Sequence, residues 1–216
     1  MVKLYSIGEE IANSITHGVG ALLSIAALVL LIVFSAIYGT ALHVVASTIY
    51  GGTLVILYTM STLYHAITNE TAKKVLRILD HSSVYLLIAG TYTPFTLLVL
   101  TKSSMALGIT LCSVVWGLAI LGIIFSVFFT GKMKIFTTIM YVLLGWFIIF
   151  VFPTLLSVMK DSGAMPGIYL LVAGGLAYTV GAVFYIIKKR YFHSIWHGFV
   201  LLGSILHFFA VLLYVI

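Results

Sequence analysis

Lys188-Lys-Arg-Tyr-Phe-His-Ser-Ile-Trp-His197 carries both signals that organise this chain. Three cations close one apolar run and a pair of histidines opens the next. Bases beside an apolar segment mark a membrane boundary. His193 and His197, four positions apart, lie on one face of a helix. Two imidazoles so placed can chelate a transition metal, zinc first.

Outward from this stretch the chain is nearly all apolar. Of its 216 residues, 62% are hydrophobic and 7% charged, and mean hydropathy is +1.24. A soluble domain carries about 25% charged residues. The composition therefore predicts an all-α, polytopic integral membrane protein. The whole chain, 1–216, reads as one membrane domain without internal repeat, linker or extramembrane unit. The formal net charge of +6 would suggest nucleic acid in a soluble protein; here it reads as loop bases facing anionic lipid heads, and no nucleic-acid partner is expected. Cys112 is the only cysteine, which excludes an intrachain disulfide and a thiolate zinc site. The first apolar stretch is too long for a cleavable secretory signal and is preceded by acidic residues.

Seven apolar segments are predicted, at approximately 17–37, 43–66, 80–100, 104–129, 134–156, 164–187 and 193–215. Tyr38-Gly-Thr40, Lys102-Ser-Ser104, Thr130-Gly-Lys132 and Lys160-Asp-Ser-Gly163 separate some of them with the usual breakers. In residues 1–16, Val2, Leu4, Tyr5, Ile7, Ile11 and Ile15 alternate with Lys3, Glu9, Glu10 and Asn13. That pattern predicts a short N-terminal amphipathic helix lying at the interface. Seven spans place Lys3, Lys73, Lys74, Arg77, Lys132, Lys134, Lys188, Lys189 and Arg190 on one side, and only Lys102 and Lys160 on the other. The bias predicts a cytoplasmic N-terminus and an outside C-terminus in a multi-pass protein of the cell membrane.

The same topology sorts the histidines by depth. His65 closes the second span on the basic side, Asp80 and His81 open the third, and His193 and His197 open the seventh. Three helix ends thus meet at one membrane level. Three neutral imidazoles and a water make an open tetrahedral zinc site, the catalytic pattern, so His65, His193 and His197 are the candidate metal ligands. Asp80 is a candidate catalytic group, as outer-sphere acceptor from an imidazole or as general base. Ser61, one turn before His65, can present a hydroxyl to the same cavity. Zinc would bring a bound water to a pKa of about 7, chemistry suited to hydrolysing an amide or ester. The depth, at the inner leaflet boundary, points to a membrane lipid as substrate or ligand.

Ser61-Thr-Leu-Tyr-His65, Asp80-His-Ser82 leading into Ala89-Gly-Thr-Tyr-Thr-Pro94, and His193-Ser-Ile-Trp-His197 resemble the hemolysin III family, the bacterial branch related to adiponectin and progestin receptors. Glu9-Glu-Ile-Ala-Asn13-Ser-Ile-Thr-His17-Gly18 resembles that branch as well. The likeness covers nearly the whole chain. It implies seven helices with the N-terminus inside, zinc held by the three histidines, and Asp80 beside a zinc-bound water. It also implies a link to ceramidase-like hydrolysis, to membrane-energy and lipid homeostasis, or to the haemolysis behind the family name. Function does not follow from fold alone.

Each residue has a plainer reading. His65 alone suits a helix C-terminus and Asp80 an N-cap of the third helix; His17 either approaches the site from the start of the first helix or anchors the interface. His81 would pack or face headgroups. His43 and His207 fall near the other side, His207 about 15 Å beyond His197. Tyr64, Tyr85, Tyr92 and Trp196 read as pocket lining or interfacial aromatics, and Gly51-Gly52 and Gly174-Gly175 as close helix contacts. Two alternatives to a hydrolase stay open. One is a non-catalytic regulator of membrane state braced by structural zinc. The other is a hemolysin-like pore or cytolytic protein, which the lack of ionisable groups in mid-span disfavours. A ligand-sensing receptor has little support, because the outer loops are very short.

Overall fold

The computed structural model describes residues 5–216, and these are helical with no strand among them. Seven helices are long and apolar enough to cross a membrane: α1 (Ile7–Tyr38), α2 (Ala41–Ala66), α3 (Glu70–Lys102), α4 (Met105–Phe129), α5 (Lys134–Asp161), α6 (Met165–Ile186) and α7 (Phe192–Tyr214). The first four pack each on the next, α5 bridges α3 and α4 to α6, α6 packs on α7, and α7 returns to α1. α3 is the inner helix, with 67% of its most apolar stretch buried.

α1 departs from the expected interfacial helix. Val2, Lys3 and Leu4 lie outside the described residues, but Ile7 onward runs unbroken into the membrane span as a single helix of 32 residues. Ser6 and Glu9 form a capping box that starts it, and no proline follows to stop it. The amphipathic pattern is real, but its polar stripe points inward. Ile7, Ile11 and Ile15 are exposed, whereas Asn13, His17, Gly20, Ser24, Leu31 and Ser35 form the buried seam. Small and polar residues suit such a seam, because helices in lipid gain from close approach and hydrogen bonds rather than from burying more hydrocarbon.

α3 also begins earlier than its hydropathy suggests. Asn69 caps it, its side-chain oxygen accepting the N–H groups of Thr71 and Ala72. Lys73, Lys74 and Arg77 therefore sit in the opening turns. Asp80 is not the N-cap but lies about 15 Å into the helix at 1.5 Å per residue. Long basic side chains reach water from such positions, so they need not end a helix.

Two prolines loosen the bundle locally. After Pro94 the coil widens into a π-type turn over Phe95–Val99, because proline removes an N–H and crowds the carbonyl four residues back. In α5, Pro153 follows a tighter turn over Trp146–Val151. The backbone groups freed there meet Tyr92 of α3. Its hydroxyl donates toward the Leu144 and Gly145 carbonyls at 3.1 and 2.9 Å and accepts from the Ile148 N–H at 2.7 Å. Non-helical backbone at this depth requires such an internal partner.

Glycines set several contacts. A β-carbon on Gly51 would fall 2.9 Å from the Leu28 Cα, and one on Gly174 would fall 3.1 Å from the Gly203 carbonyl oxygen. Gly52 has nothing within 4 Å, and Gly175 meets only the Trp146 ring at 3.5 Å. One glycine of each expected pair makes the close approach.

Candidate metal centre

His65 is the penultimate residue of α2, and His193 and His197 occupy the first two turns of α7. All three are buried. His193 and His197 share a face, with ring centroids 4.6 Å apart, and the His65 ring lies 5.1 and 5.2 Å from them. The Nε2 atoms of His65 and His193 stand 3.2 Å apart. One ring nitrogen from each of the three lies within 4.8 Å of the others, a grouping that can hold a metal ion. Two imidazole nitrogens at 2.0–2.1 Å from one tetrahedral ion would be separated by about 3.4 Å. The observed spacing is close to that.

The hydrogen bonds behind the rings say which nitrogens are bare. His65 Nδ1 lies 2.6 Å from the Glu10 carboxylate, so Nδ1 is the donor, and in the neutral ring that tautomer leaves Nε2 bare toward the other rings. His197 Nδ1 donates to the Asn13 carbonyl at 3.3 Å and to the Thr16 hydroxyl at 3.2 Å. The Thr16 hydroxyl spends its own proton on the Ala12 and Asn13 carbonyls, which leaves it an acceptor toward His197. His197 Nε2 is then bare, buried and without a partner. An orphaned acceptor in such a place is costly unless something fills it, and an ion among the three nitrogens would do so.

Helix α1 supplies most of this outer layer, a role that hydropathy did not reveal. Glu10 also pairs with Lys73 of α3 at 2.8 Å, and Ser194 donates to the Asn13 side-chain oxygen at 2.6 Å. Glu9 accepts the Tyr191 N–H at 3.0 Å, which ties α1 to the turn before α7. The legible signal was the spacing of Glu10, Asn13 and His17, three and four apart on one helical face. Tyr5 leans on the His193 ring with centroids 4.8 Å apart, and burial holds its hydroxyl far above the usual phenol range, so it stays neutral.

His17 approaches the site and is not an interfacial anchor. It is 1% exposed and lies flat on His197, centroids 3.5 Å apart and planes 11° from parallel. Both its nitrogens lack partners.

Asp80 is buried, with Oδ2 3.5 Å from Nδ1 of His81. His81 is tied down rather than facing headgroups: its Nε2 lies 3.3 Å from the Tyr185 hydroxyl, and its carbonyl accepts from Tyr141 at 2.8 Å. Ser61 is buried one turn before His65, and its hydroxyl has no partner; it makes no hydrogen bond to the triad. His43 caps the start of α2 through Thr40, and His207 contacts the Leu171 carbonyl at 2.9 Å, so both stay outside the cluster. Tyr64 packs on the His65 ring, centroids 4.6 Å apart.

A largely apolar cavity of about 160 Å³ lies beside the triad; none of the three histidines lines it, but His17, which stacks on His197, does. His17, Asp80 and Tyr185 line one end, and Tyr92, Trp146, Trp196, Tyr178 and His207 line the remainder, among aliphatic side chains. Tyr85 lines a separate pocket between α3, α4 and α5.

Seven spans and a buried histidine triad able to hold a metal ion define a multi-pass membrane protein with a candidate metal centre at one end of the bundle. The chain belongs to the haemolysin-III related family, whose sequence profile matches residues 5–208. It is 50% identical over 212 residues to the Hemolysin-3 homolog of Bacillus subtilis (strain 168), covering 98% of this chain and 96% of that protein. It is 48% identical over 211 residues to Hemolysin-3 of Bacillus cereus, covering 97% and 93%. The human Monocyte to macrophage differentiation factor is 26% identical over 212 residues, covering 94% and 83%. The spans and the family together place the chain in the bacterial cell membrane.

Proposed function

We propose that this protein is a zinc-dependent hydrolase of a lipid amide or ester, working at the cytoplasmic leaflet. Asp80 and Ser61 serve as its catalytic groups, and His65, His193 and His197 hold the metal. The observation that carries the reading is the convergence of one ring nitrogen from each of three buried histidines, the Nε2 atoms of His65 and His193 standing 3.2 Å apart, with the Nδ1 atoms of His65 and His197 already bonded elsewhere. An all-imidazole donor set of this kind suits zinc with one position open. Zinc there supplies Lewis acidity and lowers the pKa of water to about 7. The bias of bases to the triad end argues that this end is cytoplasmic, and the apolar cavity beside Asp80 suits an acyl chain.

The remaining chemistry falls to the chain's own side chains. Asp80 takes a proton from the attacking water and returns it to the departing amine or alkoxide. The unpartnered Ser61 hydroxyl donates to the carbonyl oxygen as negative charge builds on it. Glu10 and the Asn13 carbonyl hold two of the rings in the tautomer that bares Nε2. The walls of the cavity keep bulk water from the acyl chain.

A second reading, a non-catalytic regulator of membrane state braced by zinc, is favoured by one observation. The Lys73–Glu10–His65 chain and the Asn13 contacts link α1, α2, α3 and α7 around the triad. Asp80→Asn separates the two. A hydrolase keeps its zinc and loses about 10²- to 10⁴-fold in turnover, read as zinc content by mass spectrometry and as fatty-acid release from a short-chain ceramide or ester lipid. Full turnover in Asp80→Asn removes the hydrolase reading. A brace shows no chelator-sensitive turnover in the native protein, and His193→Ala lowers its melting temperature.

A further inference from the structure

Three helices reach the triad end of the cavity with Asp80 (α3), Thr138 (α5) and Tyr185 (α6) as their last lining residues. One turn beyond each stands a cation: Arg77 before Asp80, Lys134 before Thr138, and Lys188 after Tyr185. Residues three or four apart stack along a helix, so Arg77 and Lys134 each sit above the lining residue of their own helix, while Lys188 follows the extended Ile187 just past the end of α6. The Lys134 ammonium lies 4.0 Å over the Tyr185 ring, and Tyr185 in turn reaches His81 at 3.3 Å. The Arg77 guanidinium lies against Gly131, three residues before Lys134.

Among the described residues none of the three has a carboxylate within 4.0 Å; the ion pairs are His65–Glu10, Lys73–Glu10 and His81–Asp80. Lys73, four residues before Arg77, is paired, so the shortage is local to the mouth. Bases at the ends of spans are common, but ordinarily they extend into headgroup water. Arg77 and Lys134 are instead half-buried, and Arg77 Nε is buried without a partner. The guanidinium is housed against Gly131, at φ +84°, where a β-carbon would come 2.7 Å from Nη1. Fixed, half-buried like charges repel one another unless an anion joins them. Arginine beside lysine matches a phosphate, which takes both a planar fork and a point charge.

We propose that Arg77, Lys134 and Lys188 form an anion-binding collar that takes the phosphate-bearing headgroup of a lipid whose chain enters the cavity. This deepens the lipid reading given above and rests on it for the chain's path. The collar makes the ligand an anionic amphiphile rather than a neutral one.

Binding to the full-length protein in dodecyl maltoside tests this, followed by the fluorescence of Trp146 and Trp196, which line the cavity. The probes are dioleoylphosphatidic acid, dioleoylglycerol and inorganic phosphate. Phosphatidic acid should bind at least about tenfold more tightly than either of the others, since phosphate and chain contacts then add. The Arg77→Gln/Lys134→Gln double variant should lose at least about tenfold for phosphatidic acid. Lys188→Gln, an exposed change without consequence for folding, should weaken it in the same direction. Lys74→Gln/Lys189→Gln, which removes two exposed bases, should leave it within about twofold. Unchanged affinity in the collar variants, or an equal loss in the Lys74/Lys189 variant, overturns the collar. Inorganic phosphate binding as tightly as the lipid overturns the lipid and leaves a free anion. The measurement reads no turnover, so an inactive protein that still selects phosphatidic acid fails the hydrolase reading alone.

Discussion

The Glu10 carboxylate lies 2.6 Å from Nδ1 of His65, across 55 residues of chain, and its other oxygen meets Lys73 at 2.8 Å. A carboxylate behind an imidazole fixes the ring's tautomer, sets its plane and raises its basicity as a ligand. Helix α1, which contributes none of the three triad nitrogens, thereby orients one of them directly. Asn13 and Thr16 do the same for His197.

Replacing Glu10 should therefore weaken metal binding without removing a ligand. Glu10→Gln keeps a hydrogen-bond acceptor and should cost about tenfold in zinc affinity; Glu10→Ala should approach about a hundredfold. Competition against a chromophoric chelator measures both, with circular dichroism to confirm that the helices persist. Equal affinity in native protein and Glu10→Ala would show that the contact orients nothing.

His17 and His197 are stacked, yet they should behave differently. His197→Ala removes a triad nitrogen and should abolish stoichiometric zinc. His17→Ala should retain a full equivalent of zinc and lose at least about 1 kcal/mol of stability, the worth of an aromatic pair beyond its area, with the lost packing of a buried ring added to it. Metal analysis beside thermal unfolding distinguishes them. Loss of zinc in His17→Ala would make His17 a ligand.

Adjacent glycines offer a test of packing. Gly51→Ala drives a β-carbon to within 2.9 Å of the Leu28 Cα, whereas Gly52→Ala meets nothing within 4 Å. The first should destabilise by about 1–3 kcal/mol, because the backbone of α1 cannot give way as a side chain can. The second should be neutral or slightly stabilising, since alanine is the better helix former by about 1 kcal/mol. Thermal unfolding in detergent gives the comparison, and equal shifts would contradict the close approach of α1 and α2.

Parts of this architecture were plain in the residues. Hydropathy located all seven spans, because lipid demands an unbroken apolar run whatever the tertiary fold. The i, i+4 pair His193 and His197, with His65 near another boundary on the basic side, located the triad. The start of α3 escaped the same reading, since Lys73, Lys74 and Arg77 depress hydropathy without breaking a helix. Hydropathy therefore puts Asp80 at a helix start, whereas its carboxyl lies buried beside His81.

Helix α1 marks where reading along the chain stops. Its period and its polar stripe of Glu10, Asn13 and His17 are local properties of the sequence, as are the spans and the side to which the bases fall. The direction that stripe faces is not local. A polar stripe is equally satisfied by headgroup water or by partners inside a bundle, and only packing brings Ser194, His65 and His197 within hydrogen-bond or stacking reach of it. Composition thus settled that the chain lives in a bilayer, and spacing along the spans which imidazoles could meet. Tertiary structure decided which groups stand behind them, because buried polar atoms must find their partners wherever the fold places them.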